Sequence, residues 1–154
     1  RRRRPPSATR GPYTTLFRSV GKTVVDEGQA PVASDIAAVL EPPLLTPAEL
    51  ARAYDWADVM VLLSHYEGLP LTVLEAMRAG AVVVAADVGA VREVLRHREN
   101  GLLLAPAKAA SECVEALALL AADRGMLRQL SARAYEDRRG YDWVEATREL
   151  DAKL

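Results

Sequence analysis

A single cysteine, Cys113, stands in the chain, so no internal disulfide can form, and its Ala/Leu-rich surroundings mark a small buried hydrophobe rather than a nucleophile. The compartment this implies is reducing. Histidines are scarce too: neither His65 nor His97 belongs to a Cys/His cluster with metal-ligand spacing, so no metal is expected. His65 also lacks a carboxylate or nucleophile at a recognisable spacing, and reads as a loop histidine that hydrogen-bonds locally. No apolar run reaches the roughly 18 residues that cross a bilayer, and no signal-peptide pattern opens the sequence. The expected location is therefore the cytoplasm, with a peripheral place on the inner face of the membrane left open. No G-x-G-x-x-G follows any expected strand, which disfavours NAD binding. Gly21, Lys22 and Thr23 imitate the end of a P-loop, but its leading glycine would fall at Leu16, and Val24 and Val25 continue as a strand rather than a helix.

Acids are absent from residues 1–19, which hold six arginines, so the formal net charge of −1 hides a body of net charge −7. Such a body is no nucleic-acid surface, and no nucleic-acid partner is expected. The 1–19 segment has no helical or strand period and reads as a disordered basic tail. Within it, Pro12, Tyr13, Thr14, Thr15, Leu16, Phe17, Arg18 and Ser19 resemble the in-frame translation of a common sequencing adapter, so the segment is expected to be an artefact. A real tether to nucleic acid or membrane is the other reading.

What is present is a 50% hydrophobic chain of 154 residues, enough for one substantial core and one domain over 20–154. Its centre is the stretch 59–80. Residues 59–63 form an uninterrupted apolar run, too short for a helix, which predicts a parallel strand buried on both faces. Residues 64–68 break the run as a loop, Pro70 stands at a first helical turn, Leu71–Ala79 reads as helix, and Gly80 stops it. A loop at the carboxyl end of a parallel strand that leads into a helix N-terminus offers backbone N–H groups and a positive dipole end, which favour phosphate. Glu67 in the loop and Glu75 in the helix flank that place. The plain alternative is that Thr72, Glu75 and Arg78, spaced by three, make a solvated stripe with a weak Glu75 to Arg78 pair.

Upstream, 36–40 reads as a strand, and Thr46 with Glu49 has the spacing of a capping box, with Pro47 in the first turn of a helix whose Leu50, Ala53, Tyr54 and Ala57 share a face. Downstream, 81–85 reads as an apolar strand, 87–90 as a loop and 91–96 as helix. Gly89 permits a tight turn, and Glu93 caps or faces water. Asn100 and Gly101 mark a turn before a strand over 102–104. Three helices are expected next, over 107–122, 124–139 and 142–154.

An ordered series of residues resembles the donor-site signature of retaining glycosyltransferases of the GT-B fold, in particular glycosyltransferase family 4. It comprises Ser64, Glu67, Gly68, Leu71, Glu75, Ala76, Met77 and Gly80, then Val83, Val84, Ala85, Asp87, Gly89 and Glu93, then Asn100, Gly101, Leu102, Leu103 and Pro106, and finally Tyr141, Asp142 and Trp143. The sequence departs from the pattern at Leu63 and Val82, where a proline is frequent, and at Pro70 and Ala90, where a glycine is.

The resemblance implies an α/β fold, a Rossmann-like open parallel sheet flanked by helices, equivalent to the C-terminal half of a GT-B enzyme truncated at its N-terminal side. It implies transfer of a sugar from a nucleoside-diphosphate sugar to an acceptor hydroxyl with retention. Glu67 would be the catalytic-site carboxylate that holds donor-sugar hydroxyls, and Glu75 would hold the ribose. Ser64 would belong to the donor site, and the N–H groups of Gly68, Leu69, Leu71 and Thr72, with the Thr72 hydroxyl, would face the diphosphate. Gly89 would lie at the site edge, and Trp143 would anchor a terminal helix. No metal and no cofactor beyond the donor substrate are implied. The implied partners are a nucleotide-sugar donor, an acceptor (sugar, polysaccharide or lipid) and the missing N-terminal GT-B domain. The chain alone is expected to bind donor and transfer nothing. A non-catalytic nucleotide-binding or regulatory module of Rossmann type is the alternative function.

Overall fold

The computed structural model describes residues 19–20, 40–41, 46–68 and 71–138. The expected strand at Val24 and Val25, the linkage at Leu69 and Pro70, and the helix over 142–154 with Tyr141, Asp142 and Trp143 lie outside the described residues, as do tail residues 1–18. Two compact units separate between Arg52 and Ala53. In the first, β1 (Ser19–Val20) pairs in parallel with β2 (Leu40–Glu41). Ser19, expected as the end of the tail, is thus a strand residue opposite Leu40, and the strand expected over 36–40 reaches Glu41, whose backbone pairs with Val20, while residues 36–39 lie outside the described residues.

Helix α1 (Pro47–Trp56) begins in the first unit and ends in the second. Its start follows the capping-box expectation: the Glu49 amide donates to Thr46 Oγ1 at 3.2 Å, and Glu49 Oε2 accepts from the Thr46 amide at 3.0 Å.

The second unit is built on a parallel three-stranded sheet, β3 (Val59–Leu62), β4 (Val82–Ala86) and β5 (Gly101–Leu104), in the order β3-β4-β5. β4 is buried along its whole length because it has a strand on either side and helices on both faces. Period two divides the sheet's side chains between those faces. Val83 and Ala85 join a core made by α2 (Leu71–Ala79) through Val73, Ala76 and Met77, and by α3 (Val91–Val94), with Tyr54 of α1 packed against it. Val82, Val84, Leu102 and Leu104 meet α4 (Ala109–Ala122), through Cys113, Ala116 and Leu120, and α5 (Arg124–Asp137), through Leu127 and Leu130. This is the α/β class expected.

Helix α2 ends as read. Gly80 adopts φ 81°, its amide donates to the Met77 carbonyl at 3.1 Å, and the Ala81 amide donates to Ala76 at 3.0 Å, the paired bonds of a Schellman stop. Three expectations need correction. The 59–63 strand is not buried on both faces: Val61 and Leu63 are each 41% exposed, because β3 has a neighbour on one side only among the described residues. The helix expected over 91–96 ends at Val94, since Leu95 turns extended and the Arg96 amide is taken at 2.6 Å by Asn100 Oδ1. The helix expected from 107 begins instead with a 3₁₀ turn, Pro106–Lys108, before α4. Among the described residues no helix is long and apolar enough to cross a membrane.

Candidate functional site

The register pairs Leu62 with Ala85, so adjacent parallel strands deliver the 63–68 and 87–90 loops side by side at their carboxyl ends. In open parallel sheets that edge is where ligands bind. The two loops meet closely. Gly89, at φ 53°, packs so tightly on the peptide of Glu67 that a Cβ there would stand 1.8 Å from the Glu67 carbonyl oxygen and 2.9 Å from its carbon. Gly89 is therefore adjacent to Glu67, across 22 residues of sequence. Ala90, in the place of a frequent second glycine, has φ −87° and ψ 8°, which any residue adopts.

From the 63–68 loop the chain enters α2, whose N-terminal turn holds Leu71 and Thr72. Burial of Val73, Ala76 and Met77 leaves Thr72, Glu75 and Arg78 on the outer face, all three exposed. The stripe of the plain reading is thus real, but no ion pair joins Glu75 to Arg78 among the described residues. The Glu75 carboxylate instead acts on the half-buried Tyr54 hydroxyl. Burial first, then the charge of Glu75 and a hydrogen bond to it, push that hydroxyl from its ordinary 10.0 up to about 12. Tyr54 was read as a core-facing residue of α1, and its spacing on that face gave no sign of a polar partner on α2.

Ser64 and Glu67 are half-buried on the loop, and Gly68 is exposed at its end. The structure thus gathers Ser64, Glu67, Gly68, Leu71, Thr72, Glu75 and Gly89 along one edge, while Leu69 lies outside the described residues. His65 is exposed and makes no hydrogen bond to another described residue, contrary to the local bond expected of it. His97 is remote: its Nδ1 stands 2.9 Å from the Leu103 carbonyl oxygen and 3.1 Å from the Leu103 amide nitrogen, tying the turn before β5 to that strand. Cys113 is buried, which pushes its thiol up from its ordinary range and away from thiolate chemistry. A surface groove of about 460 Å³ lies elsewhere, at the amino end of β5, lined by Arg98, Glu99, Gln129, Ala132, Arg133 and Glu136.

Comparison with known proteins adds the following. The family described as glycosyl transferases group 1 matches residues 44–137. A D-inositol 3-phosphate glycosyltransferase from Nocardia farcinica is 33% identical over 104 residues, which are 68% of this chain and 23% of that protein. The chain therefore spans less than a quarter of that relative's length. Among solved structures, the C-terminal domain of a glycosyl transferase group 1 family protein, LpcC from Francisella tularensis, is 28% identical, with a TM-score of 0.59 over 64% of this chain and 50% of that one. HepE from Anabaena, solved in complex with UDP-glucose, shares the fold at 20% identity, with a TM-score of 0.65 over 75% of this chain and 31% of that one.

Proposed function

This chain belongs to the glycosyl transferases group 1 family, and from that premise we propose that it is the donor-binding half of a glycosyltransferase that moves a sugar from a nucleoside-diphosphate sugar to an acceptor hydroxyl with retention. The observation that carries the reading is the seam of two strand-end loops, Gly89 against Glu67, set beside the N-terminus of α2.

Each residue takes a role from its place. Glu67, held at the loop, accepts hydrogen bonds from hydroxyls of the donor sugar and fixes the sugar against the incoming acceptor. Glu75, exposed one turn into α2, accepts two hydrogen bonds from the ribose diol. The Leu71 and Thr72 amides lie among the unpaired N–H groups of the helix N-terminus and, with the Thr72 hydroxyl and the amide of Gly68, face the diphosphate. As the bond to the sugar breaks, the departing diphosphate gains negative charge, and prealigned N–H groups stabilise it without reorganising. Ser64 lies at the root of the same loop. The chemistry calls for no metal and no cofactor beyond the donor substrate.

The acceptor, a sugar, a polysaccharide or a lipid, meets the donor in the cleft between this domain and the N-terminal domain of a GT-B enzyme. These 154 residues by themselves are expected to bind nucleotide and transfer nothing, because without an acceptor held against the donor the rate gain from proximity is lost. We place the protein in the cytoplasm, with peripheral contact at the inner membrane face for a lipid acceptor.

Titration calorimetry with uridine and guanosine diphosphates tests the reading. Glu75→Gln is expected to weaken binding by about 1–3 kcal/mol, the worth of a charged hydrogen-bonded contact, and Glu93→Gln to leave it unchanged. Equal and negligible effects at both positions would return Glu75 to the solvated stripe.

A further inference from the structure

We propose that Gly89 is a positioning residue for Glu67: the 87–90 loop is a fixed wall against which the Glu67 peptide rests, and only a residue without a side chain leaves the carboxylate where the donor sugar needs it. The inference rests on the reading of Glu67 as the sugar-holding carboxylate.

One side of the seam is anchored. The Asp87 amide donates to the Leu104 carbonyl at 2.9 Å, the Val88 amide to Ala86 at 2.9 Å and the Val91 amide to Val88 at 3.2 Å. The Asp87 carboxylate takes Arg92 Nε at 2.9 Å and Nη2 at 2.7 Å, a two-pronged clip across the loop. Behind it, β4 is wholly buried. The other side is compliant, since residues 64–68 make no backbone hydrogen bond to another described residue. When the two sides are forced apart, the Glu67 loop moves.

Forcing them apart is what a side chain at 89 does. Its Cβ would overlap the Glu67 carbonyl oxygen at 1.8 Å and stand 3.4 Å from the Glu67 nitrogen, so the whole peptide must shift. Glu75 is set back from that shift, because it stands one turn into α2, which is held on the core by the buried Val73, Ala76 and Met77. The consequence is graded: the sugar contact of Glu67 suffers most, while of the nucleotide contacts only the Gly68 amide, which shares the displaced peptide, moves with it. Gly80 supplies the contrast. It too has a left-handed backbone, at φ 81°, but the nearest atom to a Cβ there is Ser131 Oγ at 3.6 Å, ordinary contact. Alanine at 80 therefore meets the backbone cost without displacing anything.

The test is the ratio of UDP-glucose affinity to UDP affinity, measured by calorimetry on the full chain and on Gly89→Ala, Gly80→Ala and Glu67→Ala. Gly89→Ala is expected to lower the ratio about tenfold or more, as Glu67→Ala does, the loss of one charged hydrogen bond, with UDP affinity lowered by a smaller factor through the Gly68 amide alone. Gly80→Ala is expected to lower Tm and keep the ratio, as a merely structural effect would. Arg92→Met, a change at a largely exposed side chain, loosens the wall without crowding it and is expected to lower the ratio in the same direction by a smaller factor, which keeps the test open if Gly89→Ala does not fold. An unchanged ratio in Gly89→Ala, or in Arg92→Met where only that variant folds, alongside a lowered ratio in Glu67→Ala would overturn the positioning role. An unchanged ratio in Glu67→Ala would overturn the reading of Glu67 beneath it.

Discussion

Asn100 shows how much one buried amide can hold. It is fully buried, and its Oδ1 accepts the Arg96 amide at 2.6 Å while its Nδ2 donates to the Val94 carbonyl at 3.1 Å and to Asp137 Oδ2 at 3.0 Å. The bond to Asp137 fastens the turn before β5 to the far end of α5, and Arg96 Nη2 reinforces it at 2.6 Å. Asn100→Ala should cost about 1–3 kcal/mol for each buried group left without a partner, read as a lower urea midpoint with an unchanged slope. A loss below 0.5 kcal/mol, about the scale of an ordinary surface change, would show that water replaces the amide. Tyr54 gives a second residue-level test, through pH. Its raised folded-state value means that the unfolded chain releases the phenolic proton first, so the stability contributed is whole below about pH 10 and is lost as pH rises toward about 12. Wild-type stability should fall more steeply across that window than that of Tyr54→Phe. Parallel curves would place the Tyr54 hydroxyl away from Glu75. Neither role was legible in the sequence, where Asn100 read as a turn residue and Tyr54 as one of an apolar face, because a side chain's partners on other elements leave no mark in its neighbours.

At the scale of elements, local chemistry was legible and sheet position was not. The capping box at Thr46 and Glu49 and the stop at Gly80 each depend on residues within one or two turns, and α1 and α2 begin and end where those residues place them. The β3 run looked like a central strand because five apolar residues record hydrophobicity, whereas burial depends on how many neighbours the strand has. Hydrogen exchange should separate the two: amides of β4, paired on both sides, should exchange far more slowly than those of β3, which has one partner among the described residues. Equal protection across β3 and β4 would mean that the β3 edge is covered.

For the whole molecule, the ordered residues from Ser64 to Pro106 carried both fold and family, while the contact that builds the site did not appear. Gly89 meets Glu67 because β3 and β4 pair in the register Leu62 to Ala85, and parallel strands joined by a crossover bring together residues far apart in the sequence. Nucleotide is proposed to bind along this edge of strand-end loops. Amide chemical-shift mapping during addition of uridine diphosphate tests it most directly. The largest shifts are expected at Gly68, Leu71, Thr72 and Glu75, with the groove of Arg98, Gln129 and Arg133 unmoved. Shifts centred on that groove, or none at the strand-end loops at saturating nucleotide, would contradict the assignment.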